Sequence, residues 1–562
     1  MSTRISPPVT SVHPSAARSN ELNGKCDLVL PLACLLLVEI IAFGTHAKQI
    51  GVYMDEWITF HQLHFVPHNL PGLIAAFSSD PRKILRPLEC FNMPVLFYFV
   101  GIKPFWYHVA SYSCELLSAC FLYLSLVRLA SDKSIALTAS ILYLLYPIHD
   151  ATHFAIVLWD MNLAWCFFTL SLFLYLKGLN DRRIGLIIWS SVAFLASLCE
   201  YEVTLPLLVL YPAISLITLN FRRQHDSFDW KQYLGYQIPF AIAAGSFLMF
   251  RTWLAYGSRN AYPTNLSLQH FMSTVAKGVT ISLSPETISF AADLLSKSVS
   301  AGCSNVSVIL LMIAGACVFL SLKKTGSDCR PIGECWIVVL LGIIVLFSSY
   351  TIFAVSAMHT PSITGWFDRI NTGGSLGASL IIAGLIGAAQ HSTHARTGEV
   401  KRTVFAGVIS VLAVSLILIN WQCAQPWITA WQAQRELIAA ISRHRSSFKP
   451  GDSVIVGDIN RYVDGVVVVD LPLELENVLQ TTINSQNIYG TVVSERLLVT
   501  NDALVDQIGG YVWGRYPYDH IILFSPIKSQ WIRISTREQF IEIVDKLGWT
   551  IKHANEAIRR YF

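Results

Sequence analysis

About eleven apolar stretches, each near the length needed to cross roughly 30 Å of hydrocarbon, decide what this chain can fold into. They run at about 28–46, 107–128, 134–148, 158–177, 185–199, 203–220, 233–255, 306–322, 335–355, 375–390 and 402–420. In lipid, such segments must satisfy their backbone groups internally, which makes each of them a helix. Composition agrees: of 562 residues, 53% are hydrophobic and 14% charged, and the mean hydropathy is +0.48, above the range of a soluble domain with a polar surface. The expected fold is an α-helical polytopic membrane protein of about eleven transmembrane helices, followed by a small C-terminal α/β domain.

Orientation follows from the basic residues, because Lys and Arg collect in cytoplasmic loops. With the N-terminus inside, Lys133, then Arg182 and Arg183, then Arg222, Arg223 and Lys231, then Lys323 and Lys324, then Arg396, Lys401 and Arg402 fall in successive cytoplasmic turns. Residues 1–27, polar and rich in Ser and Pro without a small-residue cleavage site, read as a disordered cytoplasmic tail before an uncleaved anchor. The region 28–420 then forms a transmembrane domain with a first external loop at about 48–106. Residues 421–562 become an external domain, in which Ser453–Val456, Val466–Val469 and Ile521–Phe524 read as strands and Arg537–Leu547 as a helix.

Several function classes are excluded. No Walker or G-x-G-x-x-G pattern sits on a strand-to-helix turn, which argues against a nucleotide-driven pump. Most of the 12 cysteines (Cys34, Cys114, Cys120, Cys166, Cys199 and Cys317 among them) lie in apolar runs without C-x-x-C or Cys/His metal spacing, so they read as small hydrophobes. Nothing implies a nucleic-acid partner.

The chemistry-bearing residues fall at the external ends of the spans. Asp55 and Glu56 open the first loop; Arg86 precedes Pro87; His149 and Asp150 end the third span, and Asp160 begins the fourth; Glu200 ends the fifth; Arg369 lies in a late external loop. Ionised side chains at the edge of hydrocarbon are costly unless used or paired. One of the Asp55/Glu56 pair can take a proton from a hydroxyl while the other orients it or holds a cation, and a solvated loop start is the plainer alternative. Arg86 and Arg369 suit bidentate phosphate contacts; an interfacial anchor and a surface pair with Asp368 are the respective alternatives. His149 and Asp150 could serve as base, ligand or phosphate partner. Asp160 could instead cap its helix. His61, His64 and His68 would share a helix face beside Asp55, which leaves a divalent metal open, with an amphipathic interfacial helix as the commoner reading.

Four features in order resemble the GT-C superfamily of polytopic glycosyltransferases, which includes protein O-mannosyltransferases and aminoarabinose transferases: Asp55-Glu56 after the first span, Arg86-Pro87 followed by Gly101, Pro104 and His108, Pro147-x-His149-Asp150 with Trp159-Asp160, and Glu200 before Pro206. The likeness covers roughly residues 28–220. It departs at Asp150, where the family carries a glutamate, and at Cys199, where it carries a lysine. The resemblance implies transfer of a sugar from a polyprenyl-phosphate donor on the outer face to a lipid, glycan or protein acceptor. Asp55 is then the base, assisted by Glu56 and Asp150. Arg86, His149, Asp160, Glu200 and Arg369 hold the substrate, with no dedicated metal site and no certain cofactor. A single displacement inverts the anomeric centre.

Two rivals share the membrane architecture. A transporter or flippase of lipid-linked saccharide would place charge and broken helices near the midplane, whereas here the acids cluster at span ends. A surface-polysaccharide polymerase or ligase would carry large loops rich in Arg and His. Compact loops and a C-terminus without a retention signal point to a bacterial inner membrane, with the site on the periplasmic side.

Overall fold

The computed structural model describes residues 28–130, 132–222, 230–257, 267–302, 304–325, 332–356, 360–392, 398–508, 511–549 and 552–553. The expected tail 1–27, Arg223 and Arg396 lie outside the described residues.

All the apolar runs are helical. In chain order the helices are α1 (Leu28–Gly44), α2 (Asp55–His64), α3 (Leu70–Phe77), α4 (Glu89–Val100), α5 (Pro104–Ala130), α6 (Lys133–Leu145), α7 (Asp150–Phe154), α8 (Trp159–Asp181), α9 (Ile184–Glu200), α10 (Leu210–Arg222), α11 (Trp230–Gly257), α12 (Leu268–Leu283), α13 (Pro285–Ala301), α14 (Asn305–Thr325), α15 (Ile332–Ala354), α16 (Thr372–Ser392) and α17 (Gly398–Arg443). Among the described residues seven helices are long and apolar enough to cross a membrane, namely α5, α8, α11, α14, α15, α16 and α17, whereas α1, α6, α9 and the 202–218 segment are shorter apolar helices. Two expectations change. The first loop is itself helical, folding into α2, α3 and α4. The stretch between the 233–255 and 306–322 runs contains α12 and α13, capped by Ser267 and Ser284.

The helices sit close where side chains are small. A Cβ on Gly377 of α16 would stand 2.6 Å from the Leu346 nitrogen of α15, and one on Gly384 would stand 2.9 Å from the Cys335 carbonyl. Such glycines let membrane helices approach backbone to backbone, and this contact anchors the turn Trp366–Asn371 that leads into α16.

The last membrane helix continues well past 420 to Arg443, so residues 421–443 extend α17 rather than begin the domain. Beyond it lie strands β1 (Ser453–Val456), β2 (Tyr462–Val463), β3 (Val466–Val467), helix α18 (Pro472–Ile483), β4 (Tyr489–Val492), β5 (Leu497–Val499), β6 (Ala503–Ile508), β7 (Tyr511–Pro517), β8 (Ile521–Ser525), β9 (Gln530–Arg533), helix α19 (Arg537–Leu547) and β10 (Lys552–His553). One sheet has the order β4-β1-β8-β9 and a second β10-β5-β6-β7. All four residues of β1 are buried, as expected for a central strand flanked by the parallel partners β4 and β8.

The domain rests on the face of the helical bundle that carries α2, chiefly through α18 against α2 and α17.

Candidate active site

A cavity of about 450 Å³ opens at that face. Its floor comes from elements distant in sequence, and each is fixed for a local reason. Met54 has φ 46°, a left-handed value that is strained for a long side chain; this turn starts α2 abruptly and leaves Asp55 in the first helical turn, exposed, at the cavity wall. The 80–88 turn is held by the Leu88 N–H donating to the Cys199 carbonyl at 3.2 Å. Tyr201, extended after the end of α9, makes the chain alternate, so Glu200 points into protein and Glu202 into the cavity.

Charge is concentrated on one side. The Arg86 guanidinium lies 3.0 Å from Glu202, 3.5 Å from Glu89 and 3.8 Å from Asp160, and 3.7 Å over the Tyr201 ring. Arg251, near the end of α11, reaches the other oxygen of Glu202 at 3.1 Å. Lys83 pairs with Glu89, and Arg82 pairs with Asp80 at 2.9 Å. Burial by itself would lower the Arg86 pKa, yet the surrounding Glu202, Tyr201, Glu89 and Asp160 push it well above its usual value. The same balance raises Lys83, where Glu89 and Asp160 outweigh burial. These cations are permanently charged and largely spent on acids.

Two residues are not. Of the four carboxylates lining the cavity (Asp55, Asp80, Asp160 and Glu202), Asp55 alone has no cationic or hydrogen-bonding partner among the described residues. Of the five cations lining it, Arg369 alone meets no carboxylate among the described residues; its guanidinium lies 4.8 Å over Trp366 and 6.0 Å over Phe367. The apolar part of the lining is formed by Val203 and Leu205, Phe247 and Leu248 of α11, and Ile352 and Phe353 of α15, with Arg251 5.7 Å over the Phe247 ring. Elsewhere on α11, Met249 and Trp253 are each 71% exposed.

The solved structures similar to this chain include two, AftD and ArnT. One is arabinofuranosyltransferase AftD from Mycobacteria, 14% identical, with a TM-score of 0.36 over 83% of this chain and 31% of that one. The other is ArnT from Cupriavidus metallidurans bound to undecaprenyl phosphate, 12% identical, with a TM-score of 0.33 over 83% of this chain and 86% of that one. The chain spans about a third of the AftD chain. No family model matches, and no curated protein does. At these scores the likeness assigns nothing to this chain, and the roles of individual residues rest on the geometry of the cavity.

The structure brings Asp55, Arg86, Asp160 and Arg369 together in one cavity and places the other four candidates outside its lining. Glu56 is fully buried and accepts from the Tyr53 N–H at 2.6 Å and the Val157 N–H at 3.0 Å, so it fastens α2 to the turn before α8. Burial pushes its carboxyl up to about 8 against these backbone hydrogen bonds. Asp150, raised by burial to about 7, accepts from the Trp427 indole at 3.1 Å. His149 meets Thr152 at 2.8 Å, and its ring lies 4.5 Å from that of His153 at a tilt of 41°. Glu200 accepts from Asn92 at 2.8 Å.

The capping alternative for Asp160 is not met, because Leu158 is the N-cap and has no side-chain cap bond; one Asp160 oxygen accepts from the adjacent Met161 N–H at 2.7 Å while the other faces Arg86. The surface pair of Asp368 with Arg369 does not form: Asp368 is fully buried and accepts from the Ala151 N–H at 3.1 Å. His64 contacts Asn484 and His68 stacks on Tyr98, and among the described residues no group of three His, Cys, Asp or Glu is placed to hold a metal. Sequence reasoning passed over Arg251, and of the two acids in the Glu200-Tyr201-Glu202 turn it chose Glu200 for the site whereas Glu202 lines the cavity. The signal for Arg251 was present, because an arginine inside an apolar span needs a partner.

Proposed function

We propose that the chain is a membrane glycosyltransferase that moves a sugar from a polyprenyl-phosphate donor to an acceptor hydroxyl at the external face. The observation that carries this reading is the presence, in one cavity, of one carboxylate, Asp55, and one guanidinium, Arg369, that have no oppositely charged partner among the described residues, beside apolar side chains of α11 and α15.

In this reading the isoprenyl chain lies along α11 and α15, and Arg369 receives the phosphate. The acceptor hydroxyl oxygen attacks the anomeric carbon as the carbon–oxygen bond to phosphate breaks. The hydroxyl proton passes to the Asp55 carboxylate, and the phosphate leaves with one more negative charge. A preorganised cation in a partly desolvated cavity stabilises that charge where it develops, and the base acts within hydrogen-bond reach of the attacking oxygen. Retention through a glycosyl-enzyme would require a second free carboxylate about 5 Å away across the sugar. Asp160 and Glu202 are tied to Arg86, which supports single displacement with inversion. Arg86 itself, facing three acids, serves as the post that keeps Asp160 and Glu202 in place. Arg251 shares Glu202 with it.

The test is transfer of labelled sugar from synthetic polyprenyl-phosphate donors by the purified protein in liposomes, with the anomeric configuration of the product read by NMR. Sugar transfer with inversion supports the reading. Passage of an intact lipid-linked saccharide across the liposome membrane, with no sugar released from any donor, replaces it with a transporter.

A further inference from the structure

Helix α2 is a partition. Successive residues of an α-helix are rotated by about 100°, so Asp55, Ile58, Thr59 and Gln62, all lining the cavity, occupy one face. Trp57, Phe60 and His64 occupy the other. That second face is gripped by α17 and the C-terminal domain. Trp57 and Phe60 share an apolar cluster with Val478 of α18, and His64 meets Asn484 at 3.2 Å.

At the centre of the grip is Gln434 of α17, 1% exposed. Its side-chain oxygen accepts from the Trp57 indole N–H at 3.0 Å, and its side-chain nitrogen donates to the Val468 carbonyl at 2.6 Å. An indole can only donate and a carbonyl can only accept, so the orientation of the amide is forced and no other uncharged side chain of this length satisfies both ends. One buried amide thus ties the cavity wall, the last membrane helix and the C-terminal domain together, on the side of α2 opposite Asp55.

We propose that Gln434 is a positioning residue that holds the Asp55 carboxylate in line with the acceptor through Trp57, and that the C-terminal domain is in this way part of the frame of the active site. The inference rests on the reading of Asp55 as the base. Loss of the amide leaves the cations and the apolar wall untouched, so donor binding is expected to persist while the chemical step slows, because a base displaced by about 1 Å costs on the order of a hundredfold in rate.

The experiment compares the full-length protein with Gln434→Met, which keeps similar volume without the amide, and with Trp57→Phe, which removes the same hydrogen bond from the other side. Two quantities are read in each: the kinetics of sugar transfer, and hydrogen exchange at the amides of residues 55–64. Either variant is expected to lower kcat roughly ten- to a hundredfold with donor KM within about twofold, and to speed exchange in α2 selectively. The double variant should be no slower than the worse single one, since both remove one link. Unchanged exchange in α2, or a rise in donor KM that accounts for the whole loss, overturns the proposal. Faster exchange in α2 in a protein that transfers no sugar even as wild type leaves Gln434 as the fastening of α2 and removes the transferase reading instead.

Discussion

Asp55 and Glu56 are neighbours in sequence and opposites in the structure. Asp55 is exposed in a cavity, with no partner among the described residues; Glu56 is fully buried and accepts two backbone hydrogen bonds. The same division runs through the whole face of the bundle. On the cavity side, one acid and one arginine are left uncommitted among the described residues. Behind it, His149, Asp150, Glu200 and Asp368 each have one bond to a neighbour, and deeper still Glu115 meets His153 at 2.6 Å. A buried polar group costs free energy unless paired, so each of these bonds offsets part of the cost of burial, although a second polar atom of His149, Asp150, Glu200 and Asp368 has no partner among the described residues. A group left unpaired where water and substrate can reach it is available for chemistry. The difference predicts that substitutions behind the cavity lower stability, and that those at its uncommitted residues lower function alone.

The largest stability effect belongs to the post between the two regions. Arg86→Ala leaves Glu202, Glu89 and Asp160 without their shared cation, and breaking a buried ion network in this way costs about 3–5 kcal/mol; a thermal melt of the purified variant should drop sharply or the protein should fail to accumulate. Glu56→Ala strands the Tyr53 and Val157 N–H groups and should cost about 2–4 kcal/mol, again read by melting. Arg369→Ala tests the other side of the comparison. It should raise donor KM on the order of tenfold, the worth of a charge-assisted contact, with no change in melting temperature. If instead it melts early, Arg369 belongs with the sealed residues.

A further effect is a pH slope. Glu56, raised to about 8 by burial, binds its proton more tightly folded than unfolded, so its contribution to stability is fully present below the unfolded value near 4.5 and is lost as pH rises toward 8. Asp150, raised to about 7, acts in the same direction over a narrower window. Stability should fall between about pH 5 and 8 by at most about 1.4 kcal/mol per pH unit for each group, and Glu56→Gln should flatten the slope. An unchanged slope in that variant would place the proton elsewhere.

Much of this arrangement is legible in the amino-acid sequence, for a definite reason. Apolar runs predict helices because lipid permits little else, and every one of them is helical here. The four candidates that reach the cavity sit at span ends, where charge is costly. Direction is what the sequence conceals. Asp55 and Glu56 differ by one helical step of 100°, and only the turn at Met54 decides which of them faces the cavity. Glu200 and Glu202 exchange roles because Tyr201 is extended, and nothing in the residue types announces that. Helices α12 and α13 were hidden by polar residues at every turn of their sequences, although Ser267 and the Ser284-Pro285-Glu286 start carry the usual marks of helix N-termini. Arg251 was hidden by the apolar average of its span.

The most direct test of the division is the rate of sugar transfer from a polyprenyl-phosphate donor by Asp55→Asn and Glu56→Gln, measured side by side with wild type in the same liposomes. The predicted result is a loss of kcat of about a thousandfold or more for Asp55→Asn at unchanged melting temperature, against a Glu56→Gln protein that keeps most of its turnover while melting earlier. Full activity in Asp55→Asn, or the loss appearing in Glu56→Gln alone without a change in stability, would contradict it and move the base to the buried side.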